Sequence, residues 1–338
     1  MAVRINLALQ GGGAHGAFTW GVLDCLLQDE DIEIAGISGT SAGALNGAAL
    51  KAGMIEGGRD GARENLDWLW NEVAGIGDLR LADWMSSLFP APGLISRSIE
   101  YSLPFSMADA ATRVFSPYAY GVFYRNPLAG IAGRFHYDAV CAQTGPAFFV
   151  CATNVRTGKI RVFSGEEITT DTILASTCLP TIFQAVEIDG ESYWDGGYSG
   201  NPALFPLFDP ALPDDIVIVN INPLERAEIP TDAPAILNRI NEISFNSSLL
   251  RELRAIGFVK RLIGNGQVTK GAMKDVNVHM IADDALMREL GVASKMVPSP
   301  SIIMALRDAG RMAAETFLAT HRDKLGKTSS VDLASMYD

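Results

Sequence analysis

The chain has 338 residues, 48% hydrophobic and 20% charged, with a formal net charge of −12. Such a composition supports a large buried core and excludes a disordered or low-complexity protein. The acidic balance excludes a nucleic-acid partner and purely electrostatic docking on anionic lipid, but not contact with neutral lipid through an apolar patch.

Cys25, Cys141, Cys151 and Cys178 have neither paired nor metal-type spacing, which points to reduced thiols in a cytoplasmic protein. The early apolar run Ile5–Leu9 is too short for a leader, and no stretch reaches the length of a membrane span. Calcium-loop and zinc spacings are absent from the sequence, so we expect no metal and no cofactor.

Arg4–Gln10 alternates like a strand and runs into Gly11-Gly-Gly-Ala-His-Gly16, after which Ala17–Leu27 carries apolar residues at helical spacing. Strand, glycine loop and helix together form an anion-binding arrangement, with backbone N–H groups clear of side chains. Gly11, Gly13 and Gly16 also satisfy the dinucleotide fingerprint. That fold needs an acidic residue at the end of the next strand, and Ile32–Ile37 ends in Ser38-Gly39. The cofactor reading fails there, leaving a phosphate-binding module as its remaining form.

The strand Ile32–Ile37 leads into Gly39-Thr-Ser41-Ala-Gly43 and then a small-residue helix, Ala42–Ala52, closed by Gly53. This is the context a nucleophile elbow requires: a sharp strand-to-helix turn that exposes the Ser41 hydroxyl. Strained dihedrals at such a serine leave no room for neighbouring Cβ atoms, which accounts for Gly39 and Gly43.

From Met54 to about Gly133 the pattern is irregular. It holds a helical piece, Gly61–Val73, an apolar proline-rich run from Asp83 to Ile95, and a helical segment, Ser98–Phe115. We read residues 54–133 as a cap inserted above the strand ends of one domain, 1–338. Trp84, Met85, Leu88, Phe89 and Leu94 either pack beneath it or form a greasy mouth.

Ala147–Ala152 and Lys159–Ser164 form one hairpin, Thr170–Cys178 a short helix, and Phe183–Ile188 with Glu191–Trp194 a second hairpin across Asp189-Gly190. The second hairpin delivers Asp195-Gly196-Gly197, which suits a buried carboxylate closely approached by backbone. Ile216–Ile221 is a strand covered on both faces. A helix over about Pro234–Ile263 follows, then a strand, Val276–Ile281, and a closing helix to Thr320 with Ser299 as N-cap and Pro300 at its first position. Arg251, Arg254, Lys260, Arg261, Lys270 and Lys274 are expected on a solvated face.

Gly11–Gly16, Gly39–Gly43 and Asp195–Gly197, in that order, resemble the three signatures of patatin-like phospholipases and lipid acyl hydrolases. Ser116-Pro-Tyr118, Asn126-Pro-Leu128, Ala175-Ser176, Leu179-Pro180 and Trp194–Pro202 resemble the bacterial branch, and the likeness runs from about Ile5 to Asn222. The resemblance implies a three-layer α/β/α fold around a central mixed, mostly parallel sheet. It also implies a Ser–Asp dyad without histidine: Ser41 as nucleophile, Asp195 as base, and the N–H groups of Gly11, Gly12 and Gly13 as oxyanion hole. His15, Gly16, Gly39, Gly43 and Gly196 would surround these groups. The pairing of Ser41 with Asp195 comes from the resemblance alone.

The implied activity is hydrolysis of lipid carboxylic esters through an acyl-enzyme, of phospholipase A, lysophospholipase or esterase–lipase type. Its partner would be a lipid or ester substrate, met in transient contact with a membrane or lipid aggregate. An acyltransferase using the same dyad and a non-catalytic phosphate- or protein-binding module are the alternatives, and a Ser-His-Asp triad through His279 is the rival mechanism. His15 stands where the family usually carries Arg or Lys. It either packs, the preferred reading, or makes activity pH-dependent near neutrality.

Overall fold

The alternation of apolar residues along two central strands sets the architecture. The computed structural model describes residues 2–76, 91–103, 105, 107, 115–269 and 271–337. Its strands are β1 Val3–Leu9, β2 Ile32–Thr40, β3 Ala147–Asn154, β4 Ile160–Ser164, β5 Val186–Ile188, β6 Glu191–Asp195, β7 Asp215–Asn220 and β8 Asn277–Ala282. The main helices are α1 Ala17–Leu26, α2 Ala42–Ile76, α3 Pro92–Glu100, α4 Thr170–Ser176, α5 Ala233–Gly264, α6 Val292–Met296 and α7 Pro300–His321.

Ile5, Leu7 and Leu9 of β1, with Val217 and Val219 of β7, pack with residues of α1, α2 and α7. Ala8, Ile216 and Ile218 point the other way, onto Leu249, Leu253 and Ile256 of α5. Period-two alternation on strands buried on both faces therefore produces helix layers on both sides of the sheet, the expected three-layer α/β/α arrangement. Each such fully buried Ile, Leu or Val contributes roughly 1.5–3 kcal/mol.

The sheet order is β5-β6-β3-β2-β1-β7-β8, with β4 paired to β3. Strands β3, β2, β1, β7 and β8 run parallel, while β4 and β6 lie antiparallel to β3. Both hairpins form as expected, and the Asp189-Gly190 turn takes positive φ at each residue, 53° and 78°.

Several expectations need correcting. The helix after the elbow passes through Gly53 and breaks instead at Gly57–Gly58, both non-helical. A Cβ on Gly53 would lie 2.3 Å from the Gly61 carbonyl oxygen, so this glycine permits the two halves of α2 to cross closely and does not cap the first. Ser299 occupies the N-cap position before Pro300, but its side chain bonds Ser301 Oγ and caps no N–H. The basic residues near the end of α5 do not make one solvated face. Lys260 bonds Asp275 and the Val276 carbonyl, and Lys274 donates to the carbonyls of Leu207, Asp209 and Leu212, so both staple loops.

Trp84, Met85, Leu88, Phe89 and Lys270 lie outside the described residues, and Leu94 is 49% exposed. Residues 59–76 belong to the core rather than above it, with Leu66, Leu69 and Trp70 buried and Trp70 Nε1 donating to Asn46 Oδ1 at 2.9 Å. Among the described residues no helix is long and apolar enough to cross a membrane.

Candidate active site

The register of β3 explains why two residues 154 positions apart meet. Strand β2 pairs with β3 as far as Thr40↔Cys151, and β6 takes over the same flank at Ala152↔Asp195, while β4 occupies the other flank at both places. The end of β2 and the end of β6 thus face each other along one edge of β3. Ser41 follows the first and Asp195 closes the second. A Cβ on Gly196 would sit 2.2 Å from the Cys151 carbonyl oxygen and 3.0 Å from Thr40 Cγ2, which measures how tightly the two ends abut.

Ser41 takes φ +55°, the left-handed conformation expected of an elbow and disfavoured for any residue with a Cβ. Its amide donates to Ser176 Oγ at 2.9 Å, and that hydroxyl donates to the Cys151 carbonyl at 2.7 Å. Its own carbonyl accepts from Ala44 and Leu45, so the serine starts α2 directly. Cβ atoms at Gly39 and Gly43 would meet the Gly43 and Leu9 carbonyl oxygens at 2.5 and 2.1 Å.

Asp195 is fully buried. Its Oδ1 accepts the Gly197 N–H at 2.7 Å, its Oδ2 has no hydrogen-bond partner among the described residues, and Tyr198 beside it stacks edge-on against Phe245. Burial pushes its carboxyl up to about 7, opposed by the Gly197 amide and then by the nearby Ser41 hydroxyl. The serine is thus close enough to act on the carboxylate without forming a well-aligned hydrogen bond to it. An aspartate in this state is a far better proton acceptor at neutral pH than an exposed one.

The glycine loop lies against the elbow, since a Cβ on Gly11 would fall 2.6 Å from Ser41 Cβ. Its three amides are not equivalent. Gly11 N–H is taken by Asn201 Oδ1 at 2.6 Å, which removes it from the expected anion site, whereas Gly12 and Gly13 N–H have no partner among the described residues. Gly13 has φ +58°, and a Cβ there would strike the Lys295 carbonyl oxygen at 2.3 Å. Gly16 packs on the start of α2, where a Cβ would meet Ala42 Cβ at 2.6 Å.

His15 is buried, with Nε2 2.8 Å from Ser294 Oγ. Ser294 already donates to the Gly291 carbonyl, so the histidine is the donor, and Nδ1, without a partner among the described residues, carries no proton. Burial first, and then the charge of Lys295, hold its pKa well below the ordinary value. Both effects favour the neutral ring, in keeping with the packing reading of His15.

The histidine triad fails on position. His279 pairs across the sheet with Val217, Val217 with Leu7 and Leu7 with Ile37, three strands away from β2 and four residues short of Ser41. At about 4.8 Å per strand that is roughly 14 Å sideways alone. Its two ring nitrogens are engaged by Asp215 Oδ1 at 2.9 Å and Ser330 Oγ at 3.1 Å.

The sequence did not mark the amides that hold the loop. Gln10 Oε1 accepts from the Ile221 and Asn222 N–H groups and from Asn222 Nδ2, while Gln10 Nε2 donates to Asn246 Oδ1. Asn222 Nδ2 also donates to the Gly11 carbonyl at 2.9 Å, and Asn246 Nδ2 to the Asn222 and Pro223 carbonyls. Gln10 and Asn222 follow the carboxyl ends of β1 and β7, where parallel sheets collect their sites, and that rule was the available signal. Asn246, in mid-helix, offered none.

An α/β/α layering with a strained serine elbow beside a glycine loop and a buried aspartate defines an α/β protein of the acyl-hydrolase kind. The family model described as Patatin-like phospholipase matches residues 7–208, and the chain belongs to that family, whose general activity is lipid acyl hydrolysis. No curated protein matches the sequence. Among solved structures, the crystal structure of VipD from Legionella pneumophila aligns at 13% identity with a TM-score of 0.44, covering 98% of this chain and 72% of that one.

Proposed function

We propose that the protein is a serine lipid acyl hydrolase working through a Ser41–Asp195 dyad and an acyl-enzyme. The observation that carries this reading is the meeting of β2 and β6 on one edge of β3, which sets a buried carboxyl with a pKa of about 7 beside a serine in a left-handed elbow. Asp195 accepts the hydroxyl proton as Ser41 Oγ attacks the acyl carbonyl. The oxyanion is held by the free amides of Gly12 and Gly13 and by the positive end of α2. The alcohol departs with the proton, and water activated by the same carboxylate then releases the fatty acid.

The substrate is a carboxylic ester of a lipid, of phospholipase A, lysophospholipase or esterase–lipase type. Within the single catalytic domain, the described part of residues 91–133 serves as the cap, while residues 59–76 remain in the core. Tyr118 and Tyr124 hydroxyls accept the Ala185 and Gln184 N–H groups in the loop before the Asp195 hairpin. Tyr101, Leu103, Met107, Tyr118 and Tyr120, each more than half exposed, give that cap an apolar surface for transient contact with lipid aggregates.

The test is labelling with a fluorophosphonate and hydrolysis of a short p-nitrophenyl ester. Wild-type protein is expected to label at Ser41. Ser41→Ala should lose label and turnover with its circular dichroism unchanged, because the bond that anchors the elbow runs from the Ser41 backbone amide to Ser176 and survives the substitution. Turnover by the pure folded variant within tenfold of wild type would remove Ser41 from the role.

A further inference from the structure

Lys295 lies on α6 against the glycine loop, its carbonyl touching Gly13 and its Nζ donating to Asn222 Oδ1 at 2.9 Å. Among the described residues that ammonium forms no ion pair. The carboxylate that faces it, Glu242 of α5, is already held by Arg226 at 2.5 Å and Arg239 at 3.2 Å. Glu100 of α3 approaches α6 at Gly291, and burial pushes its own carboxyl up. His15, on the loop side, is neutral. Arg226, Arg239 and Lys295 thus gather around one firmly held carboxylate, with Arg288, Asp284, Asp283 and Glu225 further out on the same side. An ammonium partly withdrawn from water, with a single neutral acceptor among the described residues, is unfavourable unless it serves something nearby.

What it reaches is the loop. Asn222 takes the Lys295 hydrogen bond on its oxygen and passes its own Nδ2–H to the Gly11 carbonyl at 2.9 Å, and Gly11 touches Ser41. We propose that Lys295, acting through Asn222, is the positive charge of the glycine loop, a positioning residue that favours the negative charge developing at the Gly12 and Gly13 amides during attack by Ser41. This rests on the reading of Ser41 as nucleophile. It also explains how His15 can sit uncharged in the loop: the cation is supplied from α6 instead.

Burial, with Glu242 opposing and Arg226 assisting, brings the Lys295 ammonium down to about 8. Its charge is therefore present at neutral pH and lost above about pH 8. A unit charge two hydrogen bonds away, at an effective dielectric of about 20, changes the rate by on the order of tenfold to thirtyfold.

The experiment measures the second-order rate of Ser41 fluorophosphonylation from pH 5 to 10 in wild type, Lys295→Met and Lys295→Arg, with circular dichroism on each. In wild type the rate should rise through about 7 with Asp195 and fall on the order of tenfold to thirtyfold through about 8. Lys295→Met should lack the fall and run at the lower level throughout. Lys295→Arg should keep a rate within a few fold of the wild-type maximum and hold it to pH 10, because a guanidinium does not titrate there. A merely structural lysine would move the rate without moving the profile. The proposal is overturned by a wild-type profile without the alkaline fall, by a folded Lys295→Met that matches wild type, or by a fall that persists in Lys295→Arg. If Lys295→Met does not fold, the wild-type and Arg profiles decide alone. Failure of wild type to label at Ser41 would instead overturn the nucleophile assignment beneath it.

Discussion

Replacing Asp195 with Asn should inactivate the protein and stabilise it, but only toward neutral and alkaline pH. The carboxyl is fully buried, Oδ2 is unpartnered among the described residues, and the folded pKa is raised from 3.8 to about 7. Between those values the folded chain retains a proton that the unfolded chain has released. Stability from this group is therefore fully present below about pH 4 and is lost as pH rises to about 7. At about 1.36 kcal/mol per pH unit the loss is on the order of 4 kcal/mol. Asn keeps an oxygen for the Gly197 N–H and carries no charge, so it escapes that loss. With unfolding entropy of about 2.1 cal/mol/K per residue, 4 kcal/mol is a gain of about 6 °C in Tm for a chain of this length. Scanning calorimetry of wild type and Asp195→Asn should give coincident Tm values at pH 4 and a separation approaching that figure at pH 8. Ester hydrolysis by the variant should fall by about a thousandfold or more, as when the base of such a unit is removed. Wild-type activity should itself drop about a hundredfold from its plateau to pH 5, where about 1% of the carboxyl is ionised. Equal Tm values at pH 8, or a less stable Asn variant, would refute the reasoning, since the carboxylate would then be a stabilised anion of ordinary pKa and a poor base.

Gly43→Ala should destabilise by roughly 3 kcal/mol in urea unfolding, because the new Cβ would lie 2.1 Å from the Leu9 carbonyl oxygen and neither backbone segment can yield. Gly57→Ala, with nothing within 4 Å and a negative φ, is the matched control and should shift the midpoint by no more than about 0.5 kcal/mol. His279→Asn should lower stability by about 1–3 kcal/mol through the lost bonds to Asp215 and Ser330, yet leave the rate of Ser41 labelling per folded molecule within twofold. A hundredfold slower label in that variant would restore the triad.

The layers were legible because β1 and β7 alternate between two cores, and the elbow because only glycine tolerates the Leu9 and Gly43 carbonyls so close to the turn. The hairpin that carries Asp195 was legible from Asp189-Gly190, but where it docks was not: nothing local in Tyr193-Trp-Asp195 says that it continues the flank of β3 where β2 stops. Resemblance supplied that pairing. The end of the first α2 segment was misplaced at Gly53 because a glycine required for close helix crossing looks in sequence like one required for a cap. Lys295 and Asn246 were invisible for a different reason. Their roles depend on long-range contacts with Asn222, which is 73 residues from Lys295 and 24 from Asn246, and no periodicity encodes them.

The site gathers groups that are each unfavourable alone. Ser41 sits in a left-handed conformation, and among the described residues Asp195 has a buried oxygen without a donor and Lys295 a half-buried ammonium without an ion pair. Such states persist only where the surroundings over-determine them. Here the Gln10, Asn201, Asn222 and Asn246 amides fix the glycine loop from behind, and β3 holds both strand ends in register. If the strained groups are functional, relieving them one at a time should raise stability while lowering activity, as worked out above for Asp195. If the amides are the scaffold, removing one should do the reverse of neither: Asn222→Ala leaves Lys295 Nζ and the Gly11 carbonyl unpartnered together, so it should lower both stability and rate.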